Sequence, residues 1–593
     1  MSEYRQAYAA LMPSSSHTEV AAVLQSIENA AMQCYDRGEL IQMILDDIMP
    51  LTKSSSKSRL TSKDVGQALL TIKSLGKLPT GSQVVATRQN LHSLLIIFNA
   101  FKDDAEASNE ALKCIANALL LIESARSSFV HKEVGGGDAV IDLLEKTTSP
   151  ERIFLCSRLI FLTTVSMASA ADYIRHLVEH KPPGHHGNII EIVAAKLDSL
   201  TTSILASEKM AREAMSELLK AAFNLLLHYP RLVDDGPSGS DGRKVMGDSW
   251  SERLDGILPP LLRLFNTLPP TFPAPLAVPM IHVIHALITV PVTPSLKSKW
   301  FPPLSNPASP RSFSKTISPI GSPSAPDSPT GSHTARSESP SNKQGAFDRA
   351  FSRLSVRKTS SQRSSSVHPT QDTLLRAYDL LDVTLSHYLP GDVDPDDSSV
   401  RGRCQAESDS NIDDLVSPLV LLITRLCQAD DGARKRMREW IVPEDLDRTA
   451  PLEGRADLLG RCLRLLACIH HTKLKDATGE MLFAICDSDP STLASYVGYG
   501  NVAGFLFNKG IMSAPPAGGH GPPSTTADGT PINPITGVAQ RQDDSGPEMT
   551  EEEKEREAEK LFVLFDRLEK SGALPPSQNP VRKAIAEGKG PRY

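Results

Sequence analysis

The chain has 593 residues, 40% of them apolar but only 5% aromatic, and a net charge of −7 at pH 7. That is ample material for a large core, and its bias toward leucine and alanine favours packed helices over sheet. The mild charge excludes a protein drawn as a whole to nucleic acid or anionic membrane. The longest apolar runs, such as Val416–Leu422 and Leu276–Val292, are too short or too broken by proline and histidine to span a bilayer.

No apolar stretch follows Met1-Ser-Glu-Tyr-Arg5, so no secretory leader is expected, and neither a Met-Gly start nor a CaaX end predicts a lipid anchor. Of eight cysteines, Cys114, Cys156, Cys427, Cys462, Cys468 and Cys486 fall in apolar helical stretches, and none forms a CxxC pair. Cysteines scattered in this way suit a reducing compartment.

Residues 1–292 read as armadillo-like repeats. The clearest amphipathic helices are Leu91–Phe101, Ala111–Glu123, Ile153–Val165, Ala214–His228 and Met280–Thr289. Turns are expected at Gly135-Gly-Gly137 (with Asp138 capping the next helix), at Pro182-Pro-Gly184 and at Pro230. Two segments resemble each other, Ala111-Leu-Lys-Cys-Ile-Ala-Asn117 and Ser216-Glu-Leu-Leu-Lys-Ala-Ala-Phe-Asn224, each with a lysine four residues before an asparagine.

Residues 293–369 form a Ser/Pro/Arg-rich insert, expected to be disordered and strongly basic. Its Ser-Pro steps at Ser309, Ser318, Ser322, Ser328 and Ser339 are candidate phosphorylation sites, where each phosphate adds about −1.5 to −2 charges. A second set of repeats spans 370–512, with helices at Asp372–His387, Leu415–Cys427, Asp457–Ile469 and Glu480–Cys486. Within it, Asp392–Asp414 reads as a solvated acidic connector. Core helices recur every roughly 40 to 60 residues, the armadillo/HEAT period lengthened by loops. The expected fold is therefore all-α: a right-handed superhelical solenoid with one long insert, whose stacked helices leave a concave surface for a partner.

Tyr496-Val-Gly-Tyr-Gly-Asn-Val-Ala-Gly504 follows the last of these helices. Its glycines predict backbone at positive φ or packed too close for a Cβ, with the tyrosines wedged around it. A Gly/Pro-rich linker over 513–548 leads to an amphipathic helix over 549–571 and a tail over 572–593. Thr550 and Glu553 form a capping box for that helix, and Ala558, Leu561, Phe562, Phe565 and Leu568 make its apolar stripe.

No Walker sequence, HExxH or GxSxG occurs. His185-His186 and His470-His471 lack the i, i+4 spacing that brings two imidazoles to one metal, and read as surface or loop histidines. No cofactor, no metal and no bond-making catalysis is expected.

Tyr496–Gly504 with Phe505-Leu-Phe-Asn-Lys-Gly510, and Pro531-Ile-Asn-Pro-Ile-Thr-Gly537 followed by Met549–Leu568, resemble in order and spacing the signature blocks of the synembryn family, in a fungal-type member. Weaker similarity runs through Met215–Leu227, Glu151–Val165 and Glu110–Ile122. The resemblance implies a chaperone and nucleotide-exchange factor for heterotrimeric G-protein α subunits (Gα). In that family the concave surface grips the C-terminal helix of Gα while the tail contacts its nucleotide-binding domain. It assigns Gα contacts to Lys73, Lys77, Asn117, Arg158, Lys220 and Asn224; the last helix either docks on its own solenoid or lays its stripe, with Leu561 and Phe565, onto the partner. Tyr496, Gly498, Tyr499, Gly500, Asn501 and Gly504 are the signature itself. Lys73 and Lys77 stand where animal members have arginine, which keeps charge but loses bidentate capture of a carboxylate. The acidic casein-kinase segment of animal members has no counterpart in Ser513–Gly529. The implied protein is a cytoplasmic monomer, recruited to the cell cortex through Gα and without stable membrane insertion. The alternative is a general armadillo scaffold or cargo adaptor. A nuclear import receptor would repeat Trp–Asn pairs, and only Trp250, Trp300 and Trp440 are present.

Overall fold

The computed structural model describes residues 2–53, 58–181, 187–233, 249–303, 372–511, 525–526, 529–540 and the helix Glu551–Lys570 with part of its side chains. Among these the chain is all helix, apart from isolated antiparallel bridges joining Thr525 to Pro531 and Ile532 to Ala539. Two compact units divide it: Met1–Leu268 with Val278–Trp300, and Pro269–Ala277 with Phe301–Tyr593.

In the first unit one row of helices packs each on the next: His17–Asn29, Val65–Leu75, Ala105–Leu121, Pro150–Thr164, Ala211–Val233 and Met280–Leu287. Small side chains permit the close approach. Ala107, Ala111, Cys114 and Ala118 recur at helical spacing on Ala105–Leu121, all buried, and the Cys114 thiol donates to Leu69 O at 3.3 Å. Side-chain caps start several helices, among them Ser16, Thr87 and Asp104, and Asn188 with Glu191 completes a capping box. The solenoid principle holds here, since no helix of the row could bury its apolar face alone.

The second unit stacks Thr373–Tyr388, Ile412–Ala429 and Thr472–Ile485 in the same way. Asp431–Ile441 and Leu458–Ala467 flank them, and the short helices Pro490–Val497 and Tyr499–Asn508 follow. No described helix is long and apolar enough to cross a membrane, and no described group of three or more His, Cys, Asp or Glu is placed to hold a metal.

Within the helical units the structure departs from the sequence reading in five places. Asp138 does not cap its helix; the helix starts at Gly136 behind Gly135 at φ +68°, and Asp138 faces His176 at 3.3 Å. A Cβ on Gly136 or Gly137 would lie 2.4 Å from the Phe129 ring or 2.6 Å from that of Tyr173, so aromatic packing sets these glycines. Pro230 lies inside Ala211–Val233 near its end, buried beside Tyr229, and ends nothing. The insert begins later than residue 293: Pro294–Trp300 is helical, with Leu296 and Trp300 buried one turn apart and the indole donating to Pro291 O at 3.2 Å. Asp392–Asp414 is no plain connector, because it holds the helix Ser398–Ser408, anchored by buried Val400 and Cys404. His471 is buried; its Nε2 donates to Pro395 O at 2.9 Å while Nδ1 faces Asp413 at 3.6 Å. The serines Ser309 to Ser339, residues 182–186 and Thr550 lie outside the described residues.

Candidate functional site

The resemblance between the two lysine–asparagine segments has a structural counterpart. On Ala105–Leu121 the residues Glu110, Lys113 and Asn117 lie along one face, and on Ala211–Val233 Glu217, Lys220 and Asn224 repeat the spacing. Each set engages the preceding helix of the row. Glu110 is buried and pairs with Lys73 at 2.5 Å and Lys113 at 2.9 Å, while Lys113 also reaches Glu151 at 3.1 Å. Glu217 is buried and pairs with Arg158 at 3.4 Å and Lys220 at 2.9 Å, both through one oxygen; the other accepts no hydrogen bond. The asparagines then tie the helices together. Asn117 Nδ2 donates to Lys73 O at 3.3 Å, and Asn224 Nδ2 to Phe161 O and Thr164 Oγ1, both at 3.1 Å.

The result is a row of cations whose carboxylate partners lie beneath them. Burial opposes the charge on Lys113, but hydrogen bonds to Glu110 and Glu151 outweigh it and raise its pKa. Lys220 stands 5.9 Å over the Phe161 ring. His282 and His285 on the next helix extend the row, with ring centroids 6.3 Å apart. Burial, then Lys220 and His285, push His282 down to about 4, so it is neutral at pH 7. Lys77 lies one residue past Gly76, the C-cap of Val65–Leu75; it is exposed, and no described side chain pairs with it. Of the sequence-assigned contacts the row thus gathers Lys73, Asn117, Arg158, Lys220 and Asn224. Glu110 and Glu217 went unread, although glutamate three residues before each lysine is part of the repeated pattern.

The second candidate lies in the other unit, where the two signature blocks bind each other. Gly498, at φ +82°, turns the chain between Pro490–Val497 and Tyr499–Asn508. The exposed N–H groups that start the second helix are taken by the Pro531–Gly537 block: Tyr499 N donates to Pro534 O and Gly500 N to Ile535 O, each at 2.8 Å. A Cβ on Gly498 would stand 2.5 Å from Gly537 N, and one on Gly537 (φ +72°) 2.8 Å from Val497 O. The block is itself a tight turn, in which Asn533 Oδ1 accepts from Ile535 N at 2.9 Å and Asn533 O from Gly537 N at 2.8 Å. Arg448 closes the clasp. Its guanidinium donates to Gly537 O at 2.7 Å and Tyr496 O at 2.8 Å, and its carbonyl accepts from Ala539 N at 2.8 Å. Asn501 Nδ2 adds a bond to Val497 O at 2.7 Å. Residues 529–540, inside the stretch read as linker, are therefore docked. Tyr496 and Tyr499 contribute mainly main-chain atoms, and Arg438 stands 5.7 Å over the Tyr496 ring. Gly504 sits within the second helix, next to Phe505, which packs where Gly479 leaves room.

Arg448 was not singled out in the sequence, nor was the basic helix Asp431–Ile441, where Arg434 and Arg438 both clamp Asp487, at 2.8 and 2.6 Å. The run Ala433-Arg-Lys-Arg-Met-Arg438 was the available signal. On the last helix Phe562, Val563 and Leu564 are exposed and Phe565 is half-buried. The Leu561 side chain lies outside the described residues. Arg567 pairs with Asp394 at 3.0 Å.

The family model described as guanine nucleotide exchange factor synembryn matches residues 68–589, a range that takes in the charged row from Lys73 onward, the clasp and the last helix. Among curated proteins the chain is similar to Chaperone Ric-8 of Drosophila pseudoobscura pseudoobscura, 28% identical over 188 residues, covering 30% of this chain and 33% of that one. It is similar to Chaperone Ric-8A of Xenopus laevis, 31% identical over 175 residues (28% of this chain, 32% of that one). Against Chaperone Ric-8A of Mus musculus the figures are 33% over 170 residues, 27% of this chain and 32% of that one. The alignments span about a third of the length of these curated relatives.

Proposed function

The chain belongs to the synembryn family of guanine nucleotide exchange factors, and from that premise we propose that it is a chaperone and non-receptor exchange factor for heterotrimeric Gα subunits. The family match across residues 68–589 carries the reading, and the charged row supplies a surface with suitable chemistry. A helix ending in a free carboxylate, as the C-terminal helix of Gα does, would lie along the row. Lys77 and the half-exposed Lys113, Arg158 and Lys220 would meet its anionic groups, while Asn117 and Asn224 hold the helices of the row in register. Buried Glu110 fixes Lys113 in place and buried Glu217 fixes Arg158 and Lys220, so these three lose little side-chain entropy on binding.

Exchange then needs no bond-making step. A protein that binds nucleotide-free Gα more tightly than the GDP form lowers the free energy of the empty state and speeds GDP loss, and GTP reverses the preference. An unfinished Gα chain held on the same surface would have its apolar C-terminal helix covered, which is protection against aggregation. The apolar residues of Glu551–Lys570 would contact a second part of the partner. The working form is a cytoplasmic monomer that reaches the cell cortex through Gα.

The test is GDP release from purified Gα with and without the chain, together with affinities for GDP-bound, GTP-bound and empty Gα. Faster release and tightest binding of the empty form are expected. Equal affinity for all three would sink the proposal, because equal binding shifts no equilibrium.

A further inference from the structure

The clasp fixes a point of the chain far beyond the repeats. Without it, the last attachment of the chain to the second unit before the C-terminal helix would be near Ile511, about 40 residues upstream, a reach of up to ~140 Å. With it, the attachment is Ala539, whose N–H donates to Arg448 O at 2.8 Å, and about 11 residues remain, a reach of at most ~40 Å. The helix itself shows exposed Phe562, Val563 and Leu564, and its half-exposed pair to Asp394 is of the kind that holds weakly. Its delivery to a partner therefore depends on where its tether starts.

We propose that Arg448, Gly498 and Gly537 are positioning residues that set the reach of the C-terminal helix, by pinning residues 531–540 to the corner at Tyr496–Asn501. The partner named here rests on the Gα reading above; the shortening of reach does not. Arg448 suits the task because one planar guanidinium bridges a carbonyl of the repeats, Tyr496 O, and one of the tail, Gly537 O. Lysine has no such planar fork of donors.

Two variants open the clasp from opposite sides: Arg448→Ala in the repeats, and Gly537→Val in the tail, which leaves every repeat residue in place. In the full chain, both should release the Tyr499 and Gly500 amides to hydrogen exchange while the repeats keep their melting temperature. A fourfold longer tether lowers the effective concentration of the helix about eightfold. GDP release from whole Gα should therefore slow by up to about that factor, with binding of an isolated Gα C-terminal peptide unchanged.

Inserting about thirty Gly/Ser residues after Gln540, roughly a fourfold lengthening of the tether, should slow release about eightfold in the parent chain but only about twofold further in Gly537→Val, whose tether it lengthens less than twofold. That shortfall from a second eightfold loss separates a tether from a merely structural role. Full exchange activity in a variant whose two amides have opened, or additive losses, would overturn the inference. Independently of Gα, spin labels on Lys435→Cys and Glu559→Cys should show a distance distribution that broadens in Gly537→Val. An unchanged distribution overturns the inference even if exchange activity stands. If the parent chain speeds no GDP release but the distribution broadens, the Gα reading fails and the tether remains.

Discussion

The charged row and the clasp are assembled on opposite principles. In the row, side chains hold side chains: Glu110 and Glu217 gather lysine and arginine from neighbouring helices, and the cations stay half-exposed. In the clasp, main chain holds main chain, and side chains matter chiefly where they are absent, at Gly498 and Gly537, or where they bridge carbonyls, at Arg448. A surface of the first kind can be retuned for a partner one residue at a time. A junction of the second kind tolerates almost no change, because every alternative residue brings a Cβ into backbone.

The largest effect expected from this contrast is at Gly498. Valine there forces a left-handed φ on a β-branched residue, costing about 1–3 kcal/mol, and overlaps Thr536 and Gly537, costing about 1–3 kcal/mol more unless the clasp opens. Urea unfolding of Gly498→Val measures the sum, and a change below 0.5 kcal/mol (roughly the scale of a neutral surface site) would mean that the corner is not held as described. Next comes Asn224→Ala, which removes two hydrogen bonds, one buried and one part-buried, and should cost about 1–3 kcal/mol. Asn117→Ala, losing one longer bond at a half-buried site, should cost less. Equal losses would show that the two sets are not graded by burial.

A pH-dependent effect follows from His282. Its folded pKa of about 4 lies below the ~6.5 of an unfolded chain, so unfolding takes up a proton between those values. This contribution to stability is complete above about 6.5 and is lost as pH falls toward 4. His282→Gln should flatten that part of the curve of melting temperature against pH, and a curve of unchanged slope would assign the loss to other groups. The smallest effect is at Lys77, exposed and unpaired among the described residues. Lys77→Ala should leave stability within about 0.5 kcal/mol but weaken binding of a Gα C-terminal peptide at low salt, where such attraction is strongest. Unchanged affinity would remove Lys77 from the proposed contact.

The helices of both units were legible because their apolar period is carried by side chains. The ends were less so: Pro230 reads as a stop, yet its helix runs on to Val233 with Tyr229 and Pro230 buried, so packing overrides the lost N–H. The acidic stretch around Asp396 and Asp397 looks solvated because its carboxylates are spent on backbone N–H groups, those of Ile469, His470 and Ser399, a use that leaves no periodic trace. His471 looks like a loop residue because its partners, Pro395 O and Asp413, are distant in sequence. The row was half legible, since lysine and asparagine repeat visibly but the buried glutamate beneath them passes for surface charge. The clasp was visible only as two signature blocks. Backbone pairing between Tyr499–Gly500 and Pro534–Ile535 constrains sequence through glycine alone, and glycine does not say what approaches it.

All eight cysteines are buried and free, and burial raises the thiols of Cys156, Cys427, Cys462, Cys468 and Cys486 to about 12. At neutral pH almost none of that sulfur is thiolate, the form that attacks alkylating reagents and oxidants. Each thiol becomes reactive only when its surroundings come apart. The molecule thus carries built-in reporters of opening: Cys34, Cys114 and Cys156 in one unit, and Cys404, Cys427, Cys462, Cys468 and Cys486 in the other. Timed alkylation read by mass spectrometry would rank the two units by their frequency of opening, with no residue replaced.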